Sequence, residues 1–221
     1  MDDGLGRSFL LLTVFLCGMS IMAIEMTASR LVAPFFGTSL IVWTNIIGLI
    51  MMSLSAGYYL GGRLADRRPE GALLYKIILV ASLGLFFIPY IANPVMSFAA
   101  SGSVGVFLGS LFAVVFLFVI PFTLLGMVSP FVIRLAATSI SEVGNTAGSI
   151  YALSTVGSII GTYLPALFFV PMLGSRRTIL LFSAVLLSIA VLGLWKLSKL
   201  GKLGKLGKRE ETRSEEHTSE L

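Results

Sequence analysis

The chain has 221 residues, 56% of them hydrophobic and 12% charged, with a mean hydropathy of +0.95. An average soluble chain carries roughly a quarter of its residues as charges, so the composition excludes an ordinary water-soluble globule. The formal charge of +5 includes an acid-free basic run, Lys196 to Arg209, and such a run beside a membrane suits lipid head groups rather than nucleic acid.

A membrane-crossing helix needs about 20 mostly apolar residues. Six stretches qualify in chain order: Phe9–Leu31, Leu40–Leu60, Leu73–Ala92, Val104–Gly126, Thr146–Phe169 and Thr178–Trp195. The predicted fold class is therefore all-α and polytopic, a six-helix transmembrane domain over residues 1–195 whose main partner is the lipid bilayer. The first stretch is too long for a removable signal peptide and lacks the small-residue cleavage pattern. Its Cys17 is the single cysteine, so no internal disulfide can form. At ~1.5 Å per residue, residues 104–137 are too long for one crossing and too short for two. They are expected to form a span to about Gly126 and a Pro130-marked continuation along the inner interface. The alternative is a seventh span, which would put the C-terminus outside.

Lys and Arg in short loops set orientation. With the N-terminus in the cytoplasm, the inside carries Arg7, Arg63, Arg67, Arg68, Lys76, Arg134, Lys196, Lys199, Lys202, Lys205, Lys208 and Arg209. The outside carries only Arg30, Arg176 and Arg177. That bias predicts cytoplasmic N- and C-termini, as in a bacterial inner membrane protein. Trp43 and Trp195 fall at span ends, where amphipathic rings prefer the headgroup zone.

Within the spans, Glu25 and Arg30 are the notable charges, and an ionisable intramembrane group is a functional-site candidate. Glu25 lies ~24 Å beyond Phe9 in a core of ~30 Å, which puts it towards the outer interface. It stands about 140° around the helix from Arg30, so a direct pair is disfavoured. An ion-pair network or a snorkelling anchor is one reading, and a substrate or proton site is the other. Gly18, Met22, Glu25 and Ser29 share a face by their spacing, and Asn45 of the second span is a candidate to add an amide there. Small residues recur four apart at Ser53, Gly57 and Gly61, at Gly105 and Gly109, at Gly144 and Gly148, and at Gly157 and Gly161. Such stripes let helices approach closely. The run Gly61–Pro69 is expected to be a short cytoplasmic turn. In it Asp66 would accept from a helix N-terminus, while the arginines would anchor to head groups or neighbouring helix ends.

Within the segment 196–212, Lys196–Arg209 repeats Lys-Leu-Gly at period three. That period does not match a helix and the glycines disfavour one, so a flexible basic tether is expected. Residues 213–221, Arg-Ser-Glu-Glu-His-Thr-Ser-Glu-Leu, look like in-frame translation of a common sequencing adapter. The only histidine, His217, would then be foreign to the natural protein and no site residue, and the natural protein is expected to continue past residue 212.

Gly62-Arg63-Leu64-Ala65-Asp66-Arg67 resembles the loop between helices two and three of the major facilitator superfamily, although its continuation departs as Arg68-Pro69-Glu70. The fifth-span glycines, followed by Gly174-Ser175-Arg176-Arg177 and a sixth helix, resemble the second part of one six-helix repeat of that superfamily. A more specific resemblance covers nearly all of residues 20–180. Glu25 through Gly37, Gly57 through Asp66, Gly126 through Phe131 and Gly148 through Gly161 are similar to the membrane part of the fused membrane-bound spermidine synthase family. That resemblance implies a bundle preceding a cytoplasmic aminopropyltransferase domain of Rossmann type. It also implies a polyamine or related small molecule as ligand. The chain has no Gly-rich nucleotide turn after a strand and no paired acids for an amine. Its acids before the tail, Asp2, Asp3, Glu25, Asp66, Glu70 and Glu142, are scattered. It is therefore expected to be catalytically inert, with no cofactor and no metal, and to anchor a synthase. The alternative is a half-size facilitator-type transporter that would pair with itself as a homo-oligomer.

Overall fold

A computed structural model describes residues 6–102, 105–137 and 143–219, with side chains described as far as residue 200. Every regular element among the described residues is helical. They are α1 (Arg7–Phe36), α2 (Leu40–Arg67), α3 (Gly71–Ser101), α4 (Gly105–Gly126), α5 (Val128–Ala136), α6 (Val143–Leu164), a π-helical turn (Pro165–Phe169), α7 (Val170–Leu173) and α8 (Ser175–Ser219). Six helical stretches are long and apolar enough to cross a membrane, with α4 and α5 forming the fourth and α6 through α7 the fifth. In hydrocarbon every backbone polar group must be satisfied internally, which is why these apolar runs become helices. Asp2, Asp3 and Glu142 lie outside the described residues, as do the side chains of Lys202, Lys205, Lys208, Arg209 and His217.

The helices outrun the apolar runs. Gly61 through Arg67, expected as a turn, completes α2, and the chain bends only at residues 68–70. Arg68, which precedes Pro69, leaves the helical region (φ −142°, ψ 79°), as the clash with a following proline ring requires. At the other end, Gly37 closes α1 with φ 78°, its N–H bonded to Ala33 O at 2.8 Å. Beyond Trp195 the backbone stays helical to Ser219, in place of the expected tether. Propagation from a formed span adds one bond per residue fixed, and Leu and Lys are good helix formers.

The fourth span breaks at Met127. Pro130 has no N–H for the carbonyl of Gly126, and its ring crowds that carbonyl, so α4 ends there. The continuation was expected along the inner interface. Instead α5 packs among α2, α1, α3 and α6 and buries Val128, Phe131 and Val132.

The principal interfaces are α1–α6, α2–α4, α3–α8, α3–α4 and α1–α8. Exchanging spans one to three for spans four to six maps this set onto itself. The atomic contacts repeat as well. A Cβ on Gly126 would stand 2.7 Å from Leu54 O, one on Gly57 would fall on Thr123 O, and one on Gly61 would lie 2.5 Å from Met127 Cα. Across α1–α6, a Cβ on Gly18 would stand 2.5 Å from Ser154 O, one on Gly157 would fall on Phe15 O, and one on Gly161 on Met19 O. Leu54, Gly57 and Gly61 thus correspond to Ser154, Gly157 and Gly161. Thr123, Gly126 and Met127 correspond to Phe15, Gly18 and Met19. Because the equivalents are offset by three spans, each runs opposite to its counterpart. The two interlocks form an inverted pair.

The stripes at Gly57, Gly61, Gly157, Gly161 and Gly109 therefore do pack. Those at Gly144, Gly148 and Gly105 do not, since a Cβ there meets nothing within 4 Å. The four-residue spacing is present there, but among the described residues no helix covers that face.

Candidate functional site

Contacts sort the charges by end. Lys196 Nζ lies 5.0 Å from the Phe9 ring, and Gly193 packs on Tyr75, whose hydroxyl meets Thr13 Oγ1 at 3.1 Å. Arg7 adjoins Val132, Ala136 and Thr146, and Arg134 Nε reaches Asp66 Oδ1 at 3.4 Å. Arg7, Arg63, Arg67, Arg134 and Lys196 therefore share one end of the bundle. At the opposite end Phe36 packs on Gly109, and Arg30 and Trp43 adjoin Pro165 through Pro171.

Glu25 is the one buried acid among the described residues, 2% exposed, and its Oε2 has no hydrogen-bond partner. Its depth differs from expectation. α1 begins at Arg7 and ends at Phe36, so its midpoint falls between Ile21 and Met22. Glu25 then lies only ~5 Å from that midpoint at ~1.5 Å per residue. This carboxyl belongs near mid-bundle. An unpaired polar atom at such a place costs ~1–3 kcal/mol, so the fold carries it against its own stability. Ser20 Oγ is likewise without a partner.

The other expected members do not join Glu25. Arg30 is exposed and makes no ion pair among the described residues, consistent with its separation around the helix. Ser29 donates its hydroxyl to Met26 O at 2.8 Å. Asn45, expected near Glu25, is committed elsewhere. Its Nδ2 donates to Phe107 O and to Ser110 Oγ, both at 2.9 Å, which ties α2 to α4. Both amide hydrogens are used.

The loop motif is also rearranged. Asp66 pairs with Arg134 of α5 instead of capping a helix, and both side chains are largely exposed. Arg63 stacks over the Tyr59 ring at 4.5 Å. Gly62 has open space around it, while Gly61 is the glycine that makes contact. Arg67 ends α2 and is exposed. Among the described residues, no three His, Cys, Asp or Glu side chains gather where a metal could bind.

Sequence reasoning missed Ser110, Ser154, Ser158 and Gly126. Ser158 Oγ donates to Gly18 O at 3.2 Å across the α1–α6 crossing. The small residues Ser154 and Ser158 extend the Gly157–Gly161 pattern, and that signal could have found them. Comparison with protein-family models, curated proteins and solved structures finds no match to this chain.

Proposed function

We propose that this chain is the integral-membrane domain of a membrane-bound spermidine synthase-like protein. In this reading it sits in a bacterial inner membrane with both termini cytoplasmic and anchors a polyamine aminopropyltransferase domain there. The observation that carries the reading is the shared basic end, where Arg7, Arg63, Arg134 and Lys196 lie together. By the charge rule that end faces the cytoplasm, and a domain following α8 would be held at the inner surface.

Single cysteines at Arg63→Cys and Lys199→Cys, in a Cys17→Ser background, should react with an impermeant maleimide only from the inner face. Labelling of either from outside would remove the anchor. Source DNA past codon 212 should encode, in frame, a Gly-rich turn after a strand and paired acids. A stop codon at that point would overturn the synthase assignment.

A second reading is a half-size facilitator-type transporter, favoured by three observations. The inverted interlock matches the organisation of facilitator halves, which are built from inverted triplets of helices. Glu25 holds an unpaired carboxyl oxygen near mid-bundle. The second and fifth spans, equivalent under the exchange, are both the least buried and the least apolar of the six. A lipid-facing helix should be the most apolar, so this face suits a second copy or an aqueous path. Glu25→Gln should abolish uptake of labelled polyamine while leaving folded protein in the membrane. Unchanged uptake would discard Glu25 as the site.

A further inference from the structure

At the end opposite the basic one, a cavity of about 400 Å³ opens between α1, the start of α2 and the π-helical turn. Arg30 and Trp43 stand at it, and Met26, Pro165, Val170 and Pro171 line it. Its depth follows from the helix. Thirty residues make α1, or ~45 Å, and centring that on a core of ~30 Å leaves ~7.5 Å beyond the hydrocarbon at each end. Arg30 lies six residues, ~9 Å, from the Phe36 end, so its Cα sits at the boundary between acyl chains and head groups. Trp43 is three residues into α2, at the level where indole rings gather.

The chemistry of the walls is one-sided. Pro165 and Pro171 have no N–H to donate, and the Ser29 hydroxyl is already given to Met26 O. A π-helical turn within a longer helix is a local irregularity often found at functional sites, and the one at Pro165–Phe169 adjoins the cavity. The donors that remain are the Arg30 guanidinium and the Trp43 indole N–H, both at the headgroup level. Arg30 has no acidic partner among the described residues. A cationic fork above an apolar chamber complements a molecule with an anionic head and a hydrocarbon tail.

The geometry points to a specific site for an anionic phospholipid, with its headgroup phosphate on Arg30 and Trp43 and one acyl chain running along Met26, Val170 and Pro171. The site is independent of whether the bundle anchors an enzyme or transports.

The chain has two tryptophans, so Trp195→Phe leaves Trp43 as the sole tryptophan of the full-length protein, excited selectively over its tyrosines. It is reconstituted in phosphatidylcholine vesicles in which either phosphatidylglycerol or phosphatidylcholine carries dibrominated acyl chains that quench on contact. Brominated phosphatidylglycerol should quench Trp43 with about fivefold preference, the factor that ~1 kcal/mol per basic residue at a membrane surface gives. Arg30→Gln should remove the preference, whereas Arg177→Gln should keep it. Equal quenching by the two lipids refutes the site whether or not Arg30→Gln folds, and so does a preference that survives in a folded Arg30→Gln protein. Protection of the buried Cys17 thiol reports folding. Displacement of the lipid by millimolar inorganic phosphate would make the ligand a soluble phosphate and overturn the lipid assignment.

Discussion

Gly126→Ala probes the α2–α4 interlock, with Gly148→Ala as its paired control. Inside a helix Ala gains ~1 kcal/mol of propensity over Gly. Gly148 lies inside α6 and gains it in full, while Gly126 ends α4 and gains at most that, so a difference beyond ~1 kcal/mol reports packing. At Gly148 a Cβ meets nothing within 4 Å. At Gly126 it would stand 2.7 Å from Leu54 O and 3.1 Å from the Cα atoms of Gly57 and Leu54. Ordinary contact begins near 3.4 Å, which leaves the oxygen about 0.7 Å too close. All three neighbours are backbone atoms of α2, so relief requires moving a helix instead of turning a side chain. Overpacking of this kind costs ~1–3 kcal/mol. At roughly 2–4 °C per kcal/mol for a chain of this size, Gly126→Ala should melt roughly 2–12 °C below Gly148→Ala. Cys17 supplies the assay. It is the only cysteine and is 2% exposed, so a fluorogenic maleimide reports opening of the bundle on heating in detergent. Equal midpoints for the two variants would refute the interlock. Gly61→Ala and Gly161→Ala, equivalent positions, should fall by similar amounts.

Asn45→Leu removes two bonds from α2 to α4 and should cost ~1–3 kcal/mol, read as a lower Cys17-reactivity midpoint; no change would mean those bonds do not hold the helices. Tyr75→Phe keeps the packing under Gly193 but loses the Thr13 bond, and ~0.5–1.5 kcal/mol is expected in the same assay. Asp66→Asn should alter stability by less than ~1 kcal/mol, because the pair with Arg134 is largely exposed and screened by solvent; a larger loss would reveal a dry, poorly screened environment at that end. Glu25→Met replaces an unpaired oxygen with an apolar chain of similar length and should raise the midpoint, with ~1–3 kcal/mol available. A lowered midpoint would mean that the carboxyl has a partner.

Hydropathy made the spans legible because burial in hydrocarbon acts on composition over some twenty residues and needs no knowledge of neighbours. Span ends were less legible. The Gly61-Gly62, Asp66 and Pro69 signals read as a turn, yet close packing of Gly61 on Met127 carries the helix through to Arg67, and only the proline stops it. Period-four glycines mark a face on which a helix could approach. Whether one does depends on tertiary arrangement, which is why Gly157 and Gly161 succeed where Gly144 and Gly148 do not. Asn45 was recognised as a polar group that needs a partner, but that partner lies 62 residues away on α4. Glu25 was placed too near the outer interface because its depth was counted from the apolar run and not from the longer helix.

All the principal interfaces join one of the first three spans to one of the last three. Neither triplet holds a locked crossing of its own. As the chain leaves the ribosome, the first three helices must therefore wait in the bilayer, loosely associated, until the fourth and fifth arrive to clasp them. A product halted after α3 should be a prompt target for membrane proteases, and coexpressed halves should rescue one another only by threading together as a single knit body.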